Sequence, residues 1–242
     1  MQELILASGS AARRKMLEAA GVTFRVVPAA VDEDALRVSS GHVVPEHLAQ
    51  LLARAKAEEV SRRFPAALVI GGDQVLAVQS AIYTKPANLD AARMALRDLA
   101  GVTHDLLSAV CLAQGGKALW RHLGIAHLTM RDFSDAFLDD YLARAGERVC
   151  ASVGAYELEG LGIQLFDAID GDYFTILGMP LLPLLAELRA RGVVGASGGG
   201  YKPAGCATPS ASLTRPTRAS TLRRCGRSTR FAVASSARMG RA

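Results

Sequence analysis

The chain of 242 residues lacks the signals of a membrane, secreted or metal-thiolate protein. It has no apolar run long enough to span a bilayer. No charged start followed by an apolar stretch marks a signal peptide, and this predicts a cytoplasmic protein. The cysteines form no CxxC pair and no Cys/His cluster, which predicts reduced thiols that bind no metal. They are Cys111, Cys150, Cys206 and Cys225.

The signatures of several common enzyme classes are also missing. A GxxxxGK[ST] loop and a GxGxxG turn after a strand are both absent, so neither a P-loop nor a Rossmann nucleotide site is predicted. The five histidines have no HExxH spacing and no triad-like context. His104, which follows Leu99-Ala100-Gly101, is predicted to be structural rather than catalytic.

Positive charge is unevenly distributed along the chain. The formal net charge is +5, but residues 196–242 carry +9 with no acid, which leaves −4 for residues 1–195. The 196–242 segment is rich in Ser, Thr, Gly, Pro and Arg, so it buries too little apolar surface to offset its ordering entropy. It is either a basic arm for nucleic acid or a disordered, non-native extension, and its composition favours the extension. We therefore expect one folded domain over 1–195 and a basic tail over 196–242.

Residues 1–195 alternate between strand and helix patterns, which predicts a mixed α/β fold. The predicted strands are Leu4–Leu6, Thr23–Pro28, Ala67–Ile70, Leu106–Leu112, Ala118–Trp120, Gly124–Met130 and Tyr173–Leu177. Predicted helices begin at caps or N-terminal prolines and mostly end at a glycine. They begin at Ser10, Pro45, Asn88, Ser134 and Pro180, and end near Ala20, Phe64, Gly101, Gly146 and Gly192.

The first strand and helix are joined by Ser8-Gly9-Ser10, and three basic residues follow at once. Arg13, Arg14 and Lys15 fall in the first turn of the helix, where the dipole and the unpaired N–H groups disfavour cations. An anion bound over the loop by the backbone, the serines and the arginines accounts for this arrangement, and phosphate is the predicted anion. A plain strand-to-helix turn with solvated basic side chains is an equal alternative from this segment alone.

Two carboxylates and two lysines also lie where chemistry is expected. Asp73 follows a predicted strand, at the end where α/β proteins bind ligands, although an Asx turn is the commoner role. Glu33 lies in an acidic cluster that either binds a divalent cation or begins a solvated turn. Lys56 lies at the edge of an apolar helix face, and Lys85 is held extended by Pro86 or is simply a loop lysine. Together these residues predict metal-assisted chemistry on a phosphate ester.

A series of short motifs in this order resembles the Maf family of nucleoside triphosphate pyrophosphatases. The motifs are Ser8-x-Ser10-x-x-Arg13-x-x-x-Leu17, Asp32-Glu33, Ala55-Lys56-Ala57, Gly72-Asp73-Gln74-Val75, Lys85-Pro86, Leu99-Ala100-Gly101-x-x-His104, Gly154-Ala155-Tyr156, Glu159-Gly160 and Gly171-Asp172-Tyr173. The resemblance covers nearly all of residues 2–195. It implies an α/β, inosine-triphosphatase-like fold whose mixed sheet forms two lobes around a cleft, often as a homodimer. It also implies release of pyrophosphate from a nucleoside triphosphate with Mg²⁺, or with Mn²⁺ or Co²⁺ in its place.

The resemblance assigns roles to individual residues. Asp73 is implied as proton acceptor and, with Glu33, as metal ligand. The residues implied to bind the triphosphate are Ser8, Ser10, Arg13, Lys56 and Lys85. Gln74 and Glu159 match the branch that hydrolyses 7-methyl-GTP, whereas Ala12 departs from it, because that branch has a Trp there. A non-catalytic regulator of cell division that binds nucleotide or nucleic acid is the alternative function.

Overall fold

The computed structural model describes residues 2–41 and 44–195, which form a mixed α/β fold as expected. The predicted tail, 196–242, lies outside the described residues. The strands are β1 (Leu4–Leu6), β2 (Arg25–Val26), β3 (Leu68–Val78), β4 (Ala81–Tyr83), β5 (Thr103–Gln114), β6 (Lys117–Met130) and β7 (Phe166–Asp170). The helices are α1 (Ala11–Ala19), α2 (Glu33–Ser39), α3 (Pro45–Arg63), α4 (Leu89–Leu99), α5 (Asp135–Ala145), α6 (Tyr173–Ile176) and α7 (Leu181–Ala190). No helix within 2–41 and 44–195 is long and apolar enough to cross a bilayer.

The seven strands form one mixed sheet in the order β2-β1-β3-β5-β6-β7, with β4 also paired to β3. Along one edge, β3 changes partner: its first residues pair in parallel with β1, and its last residues pair antiparallel with β4. The β1 register ends at Ile70 and the β4 register begins at Leu76. We call the part of this edge between the two registers, residues 71–75, the fork of β3.

Helix ends follow the predicted capping chemistry. The side chains of Ser10, Asn88 and Ser134 accept hydrogen bonds from the amide three residues ahead, and α1, α4 and α5 begin at the next residue. Gly21 follows α1 with a φ of 69°, a conformation that glycine adopts without steric cost. Gly115 and Gly116 form the turn between β5 and β6, with φ values of 56° and 80°. The predicted helix caps at Ser10, Asn88 and Ser134 are confirmed.

Different cores lie at the two ends of β3. Ile70, in its first half, belongs to a core built with α1, α7 and β1. Leu76, in its second half, belongs to a core built with α4, α5 and β6. On the other face of the sheet, α3 packs across β3 and β5 through small residues such as Ala53 and Ala57. The fork therefore lies between two separately packed cores, in line with the two lobes that the resemblance implies.

The strand predicted over Ala67–Ile70 is too short, and the single strand β6 was predicted as two separate strands. Gly71 and Gly72 do not end a strand after Ile70, because β3 continues to Val78. Gly124 lies inside β6, which is one strand of 14 residues rather than two. A β-carbon at position 124 would lie 2.5 Å from Thr175 Oγ1, so this glycine makes room for packing.

The predicted strand over Tyr173–Leu177 is wrong, because residues 173–176 form α6. The carboxylate of Asp172 accepts hydrogen bonds from the amides of Phe174 and Thr175 and thereby caps this short helix. Among the α-helices and β-strands, α2, β4 and β7 were not predicted at all. These elements are three to seven residues long, which is too short to show a periodic pattern in the sequence.

Candidate active site

The fork of β3 holds Asp73, whose side chain faces α3. Side chains alternate along a strand, so Asp73 shares a face with Gly71 and Val75. Gly71 lets α3 approach closely, since a β-carbon there would overlap the carbonyl oxygen of Ala53 and lie 2.7 Å from the amide nitrogen of Ala57. Asp73 is only 5% exposed. Among residues 2–41 and 44–195, no strand pairs with this edge of β3 between the two registers, so a buried carboxylate lies at a gap in the sheet.

Lys56 joins the two carboxylates that the sequence analysis singled out. Its Nζ lies 2.6 Å from Asp73 Oδ1 and 2.7 Å from Glu33 Oε1. The lysine side chain is 13% exposed and that of Glu33 is 40% exposed, so the group reaches from the core to the surface. Glu33 is the first residue of α2, which Asp32 caps through the amide of Ala35. The cap of α2 and the close approach of α3 thus bring three predicted residues into one charged group.

Asp73 has one oxygen bonded and one without a partner. Lys56 donates to Oδ1, whereas Oδ2 is buried and has no hydrogen-bond partner within the described residues. A buried oxygen without a donor is costly, so such atoms usually mark a place where a ligand, ion or water binds. Asp73 therefore has one oxygen that orients the carboxylate and another that is available for chemistry.

The predicted anion loop lies beside the fork, because β1 pairs with β3 up to Ile70 and the chain then turns into Ser8-Gly9-Ser10. Arg13 is buried: its Nε donates to the carbonyl of Gly178 at 2.8 Å, and its Nη1 donates to Ser8 Oγ at 3.2 Å. Ser10 Oγ accepts from the amide of Arg13. Gly72 faces the guanidinium, and a β-carbon there would lie 3.1 Å from Nε. The guanidinium of Arg13 is thus a buried cation held between the loop and the carbonyl of Gly178.

Burial lowers the pKa of Arg13, while the nearby carboxylates of Asp73 and Glu33 act to raise it. An arginine remains protonated even when desolvated, so the side chain is a buried positive charge. Arg13 and Lys56 thus place two cations near the carboxylates of Asp73 and Glu33. Because these four charges balance, a multiply charged anion would also need the backbone N–H groups of the loop or a bound cation.

On the opposite face of β3, Gln74 forms a second polar group with Ser108, a residue that the sequence analysis missed. Gln74 Nε2 lies 3.1 Å from Ser108 Oγ and 2.9 Å from the carbonyl oxygen of Ile176. Ser108 is fully buried in β5, and its hydroxyl donates to the carbonyl of Thr175 at 2.7 Å. A lone serine in the apolar run Leu106–Leu112 was the available sequence signal for this contact. The carbonyl of Gly178 gave none, because a backbone acceptor has no side-chain signature.

The other predicted residues lie apart from this centre. Lys85 is exposed after β4, and Ala12 is half-buried in the first turn of α1. Glu159 is exposed and lines a cavity of about 230 Å³ together with Tyr141, Arg148 and Glu157. Within the described residues, no hydrogen bond or ion pair joins Lys85 or Glu159 to Asp73. A larger groove of about 530 Å³ lies at the β5–β6 turn and contains none of the predicted site residues.

His104 lies in the core, and the structural role predicted for it stays a prediction. It is fully buried, and its Nε2 lies 2.8 Å from the hydroxyl of Tyr156. Burial lowers the pKa of His104 to about 4, so the ring is neutral at physiological pH. Burial also raises the pKa of the Tyr156 hydroxyl, which therefore stays protonated. This neutral pair packs in the core formed by α4 and α5, away from the fork.

The donor set at the fork fits a hard divalent cation. Asp73 Oδ2 is a buried oxygen without a partner within the described residues, and the carboxylate of Glu33 is partly open to solvent. Within 2–41 and 44–195, no three His, Cys, Asp or Glu side chains gather into a complete protein cage. Mg²⁺ commonly uses only one or two carboxylates, with substrate phosphates and water as the other ligands. Two carboxylates beside a predicted phosphate loop match that pattern.

Comparisons with known proteins place the chain in a family. Residues 3–191 match the family model described as Maf-like protein. The 7-methyl-GTP pyrophosphatase of Mesorhizobium japonicum is 52% identical over 195 residues, which cover 80% of this chain and 98% of that protein. The nucleoside triphosphate pyrophosphatase of Granulibacter bethesdensis is 52% identical over 190 residues, covering 77% and 96%. A solved nucleoside-triphosphatase / dITP/XTP pyrophosphatase from Mycobacterium abscessus covers 79% of this chain and 96% of its own, with 13% identity and a TM-score of 0.35. Since the family model spans residues 3–191, the chain belongs to the family of Maf-like proteins.

Proposed function

We propose that this chain hydrolyses a guanine-type nucleoside triphosphate, such as 7-methyl-GTP, between the α and β phosphates, releasing the monophosphate and pyrophosphate. The observation that carries this proposal is the carboxylate of Asp73, which is buried at the fork with one oxygen held by Lys56 and the other unpartnered among the described residues. The names of half-identical relatives, 7-methyl-GTP pyrophosphatase and nucleoside triphosphate pyrophosphatase, support the same reaction.

The triphosphate would bind along the Ser8–Ser10 loop. Backbone N–H groups at the start of α1 favour an anion there, and Arg13 adds a full positive charge in a buried setting. A planar guanidinium presents several N–H donors in fixed directions, which suits phosphate oxygens. Lys56 and the exposed Lys85 would add charge from the α3 side and from the segment after β4.

Asp73 would act as the proton acceptor. Its Oδ1 is held by Lys56 at 2.6 Å, which fixes the plane of the carboxylate. Oδ2 would then accept a proton from a water molecule as that water attacks the α-phosphorus and the bond to the β-phosphate oxygen breaks. A positioned base of this kind contributes about 10²–10⁴-fold to a rate. Burial at the fork limits competing solvent around the reacting water.

We propose Mg²⁺ as the cofactor, with Mn²⁺ or Co²⁺ as substitutes, held by Asp73 and Glu33. Such a cation neutralises charge on the phosphate oxygens of phosphoryl-transfer substrates. Lys56 already bridges the same two carboxylates. Its ammonium therefore balances part of their charge and leaves Asp73 Oδ2 and the partly open carboxylate of Glu33 as the oxygens that would hold the cation.

Recognition of the base would fall to Glu159. A carboxylate accepts hydrogen bonds from both N1–H and the 2-amino group of guanine, whereas uracil and thymine present one N–H between two carbonyl oxygens. Glu157 and Glu159 line the 230 Å³ cavity with Arg148, so its lining carries two negative charges and one positive charge, and a cationic methylated base would meet a net negative charge there. Ala12 offers no ring to stack on that base. We also propose a cytoplasmic enzyme that acts as a homodimer, as the family resemblance implies.

The experiment that tests the proposal compares wild type with Asp73→Asn on 7-methyl-GTP and Mg²⁺ in ¹⁸O-labelled water. Wild type should release pyrophosphate and place the label in the monophosphate, because water attacks the α-phosphorus. Asp73→Asn, which is nearly isosteric but accepts no proton, should lose about 10²–10⁴-fold in kcat and still bind nucleotide. Asp139→Asn is the matched control, since Asp139 is an ion-paired carboxylate on α5. Release of orthophosphate, or near-normal turnover by Asp73→Asn, would refute the assignment.

A further inference from the structure

Ser108 is a fully buried polar residue that the proposed reaction does not use. It lies in the middle of β5, opposite Gln74 in the antiparallel register with β3. Its hydroxyl donates to the carbonyl of Thr175 at 2.7 Å and accepts from Gln74 Nε2 at 3.1 Å. The hydroxyl therefore donates to α6 and accepts from β3. A buried hydroxyl in an apolar strand is kept only where its hydrogen bonds are satisfied.

Gln74 holds the same segment from the neighbouring strand. Its amide nitrogen lies 2.9 Å from the carbonyl oxygen of Ile176 and 3.3 Å from that of Thr175, in addition to its bond with Ser108. An amide has two N–H donors, and here three protein acceptors surround them. The donor side of Gln74 is therefore committed to the protein. Ser108 and Gln74 together fix the backbone of α6 against the sheet.

The held segment ends at the acceptor of Arg13. Gly178 lies two residues after Ile176, and its carbonyl accepts from Arg13 Nε at 2.8 Å. The amide of Gly178 in turn donates to the carbonyl of Thr175 at 3.0 Å, the same oxygen that Ser108 bonds. Ser108 and the amide of Gly178 therefore bond the same carbonyl oxygen of Thr175, and residues 176–178 connect that carbonyl to the acceptor of Arg13.

We propose that Ser108 is a positioning residue for the triphosphate site: with Gln74 it fixes residues 172–178, so that the carbonyl of Gly178 sets the direction of the Arg13 guanidinium. The guanidinium is planar, so holding Nε to one acceptor fixes where the remaining N–H groups point. Nη1 reaches Ser8 Oγ, and the other donors are left for phosphate. This inference rests on the proposed function, because Arg13 must bind a substrate phosphate for its direction to matter.

The test measures the Kd of an α,β-methylene triphosphate analogue for wild type and Ser108→Ala, beside kcat for 7-methyl-GTP. Loss of the two buried hydrogen bonds of the Ser108 hydroxyl should raise Kd about 5- to 15-fold, with a smaller change in kcat. Ser61→Ala is the matched control, because Ser61 is also fully buried and its hydroxyl also makes two hydrogen bonds, with Glu58 and Gly116. It should leave Kd unchanged. Gln74→Met, which removes the donor and keeps the length, is the second variant if Ser108→Ala does not fold.

A double-mutant cycle separates positioning from a general structural role. In an Arg13→Lys background there is no guanidinium to direct, so adding Ser108→Ala should cause no further rise in Kd. Hydrogen exchange of the amides of residues 174–179 should quicken in Ser108→Ala and not in Ser61→Ala. An equal rise in Kd in both backgrounds, or an unchanged Kd in Ser108→Ala, overturns the inference while the pyrophosphatase proposal stands. If wild type itself neither binds the analogue nor releases pyrophosphate, the proposed function fails and this inference fails with it.

Discussion

Replacing each of the two adjacent glycines of β3 with alanine should have opposite consequences for stability and for substrate binding. A β-carbon at position 71 would overlap the backbone oxygen of Ala53 and lie 2.8 Å from the side chain of Ala57. Backbone atoms of a helix cannot yield separately, so α3 would have to move away from the sheet. Overpacking of this kind costs about 1–3 kcal/mol, and the backbone contact places Gly71→Ala near 3 kcal/mol in the free energy of unfolding.

At position 72 the new β-carbon would meet Arg13, 3.1 Å from its Nε and 3.3 Å from its Cδ. The far end of a side chain yields by a few tenths of an ångström, and alanine itself favours a strand over glycine by about 0.5–1 kcal/mol. The free energy of unfolding should therefore change by less than about 1 kcal/mol. The shift of Nε weakens its bond to Gly178, so the affinity for a triphosphate should fall about 5-fold.

Urea unfolding and the Kd of a non-hydrolysable triphosphate measure the two effects on the same preparations. We expect Gly71→Ala to lose stability and Gly72→Ala to lose affinity. Equal losses of stability in both variants would refute the argument that one glycine serves helix packing and the other serves Arg13. An unchanged Kd for Gly72→Ala would show that the direction of the guanidinium does not govern binding.

Three further predictions concern other parts of the chain. Wild type should favour guanine nucleotides about 5- to 150-fold in kcat/KM, and Glu159→Gln should move this preference from 7-methyl-GTP and GTP toward UTP and dTTP. A wild-type preference for UTP would disprove the role of Glu159. Truncation after Gly195 should leave Tm and turnover unchanged and abolish salt-sensitive retention on a polyanionic resin, because residues 1–195 carry a net charge of −4; a large fall in Tm would refute the boundary. His104 has a folded-state pKa of about 4, below its ordinary 6.5, so its contribution to stability is complete above pH 6.5 and is lost as the pH falls toward 4. Wild type should lose about 3 kcal/mol more than His104→Gln over that interval in urea titrations, and parallel pH profiles would contradict this.

The sequence predicted those features that depend on neighbouring residues. Caps such as Ser10 and Asn88 act within one helical turn, so their hydrogen bonds to Arg13 and Ala91 were predictable from spacing. The grouping of Asp73, Lys56 and Glu33 was expected from family resemblance, and the structure brings these three together. Their catalytic and metal-binding roles remain predictions.

The errors arose where distant packing decides the local structure. Glycine is typical of turns, but three glycines of this chain lie inside strands and leave room for a packed neighbour. The neighbour is α3 at Gly71, Arg13 at Gly72 and Thr175 at Gly124. A short apolar run such as Tyr173–Leu177 fits a strand or a helix equally, and the cap by Asp172 decides for the helix. Contacts that use backbone acceptors, such as the carbonyl of Gly178, have no signature in the sequence.

The hydrogen bond between Arg13 and Gly178 spans 165 positions of the chain. During synthesis, the anion loop and Asp73 therefore leave the ribosome long before the acceptor that directs the arginine is made. The long β5–β6 hairpin is closed by a two-glycine turn and needs only local contacts, so we expect it to form before a loop of 165 positions closes. A prematurely terminated product that ends before Gly178 contains the carboxylates and the lysine but has no acceptor for Nε. If Arg13 binds the triphosphate as proposed, chains that end before Gly178 should bind substrate weakly.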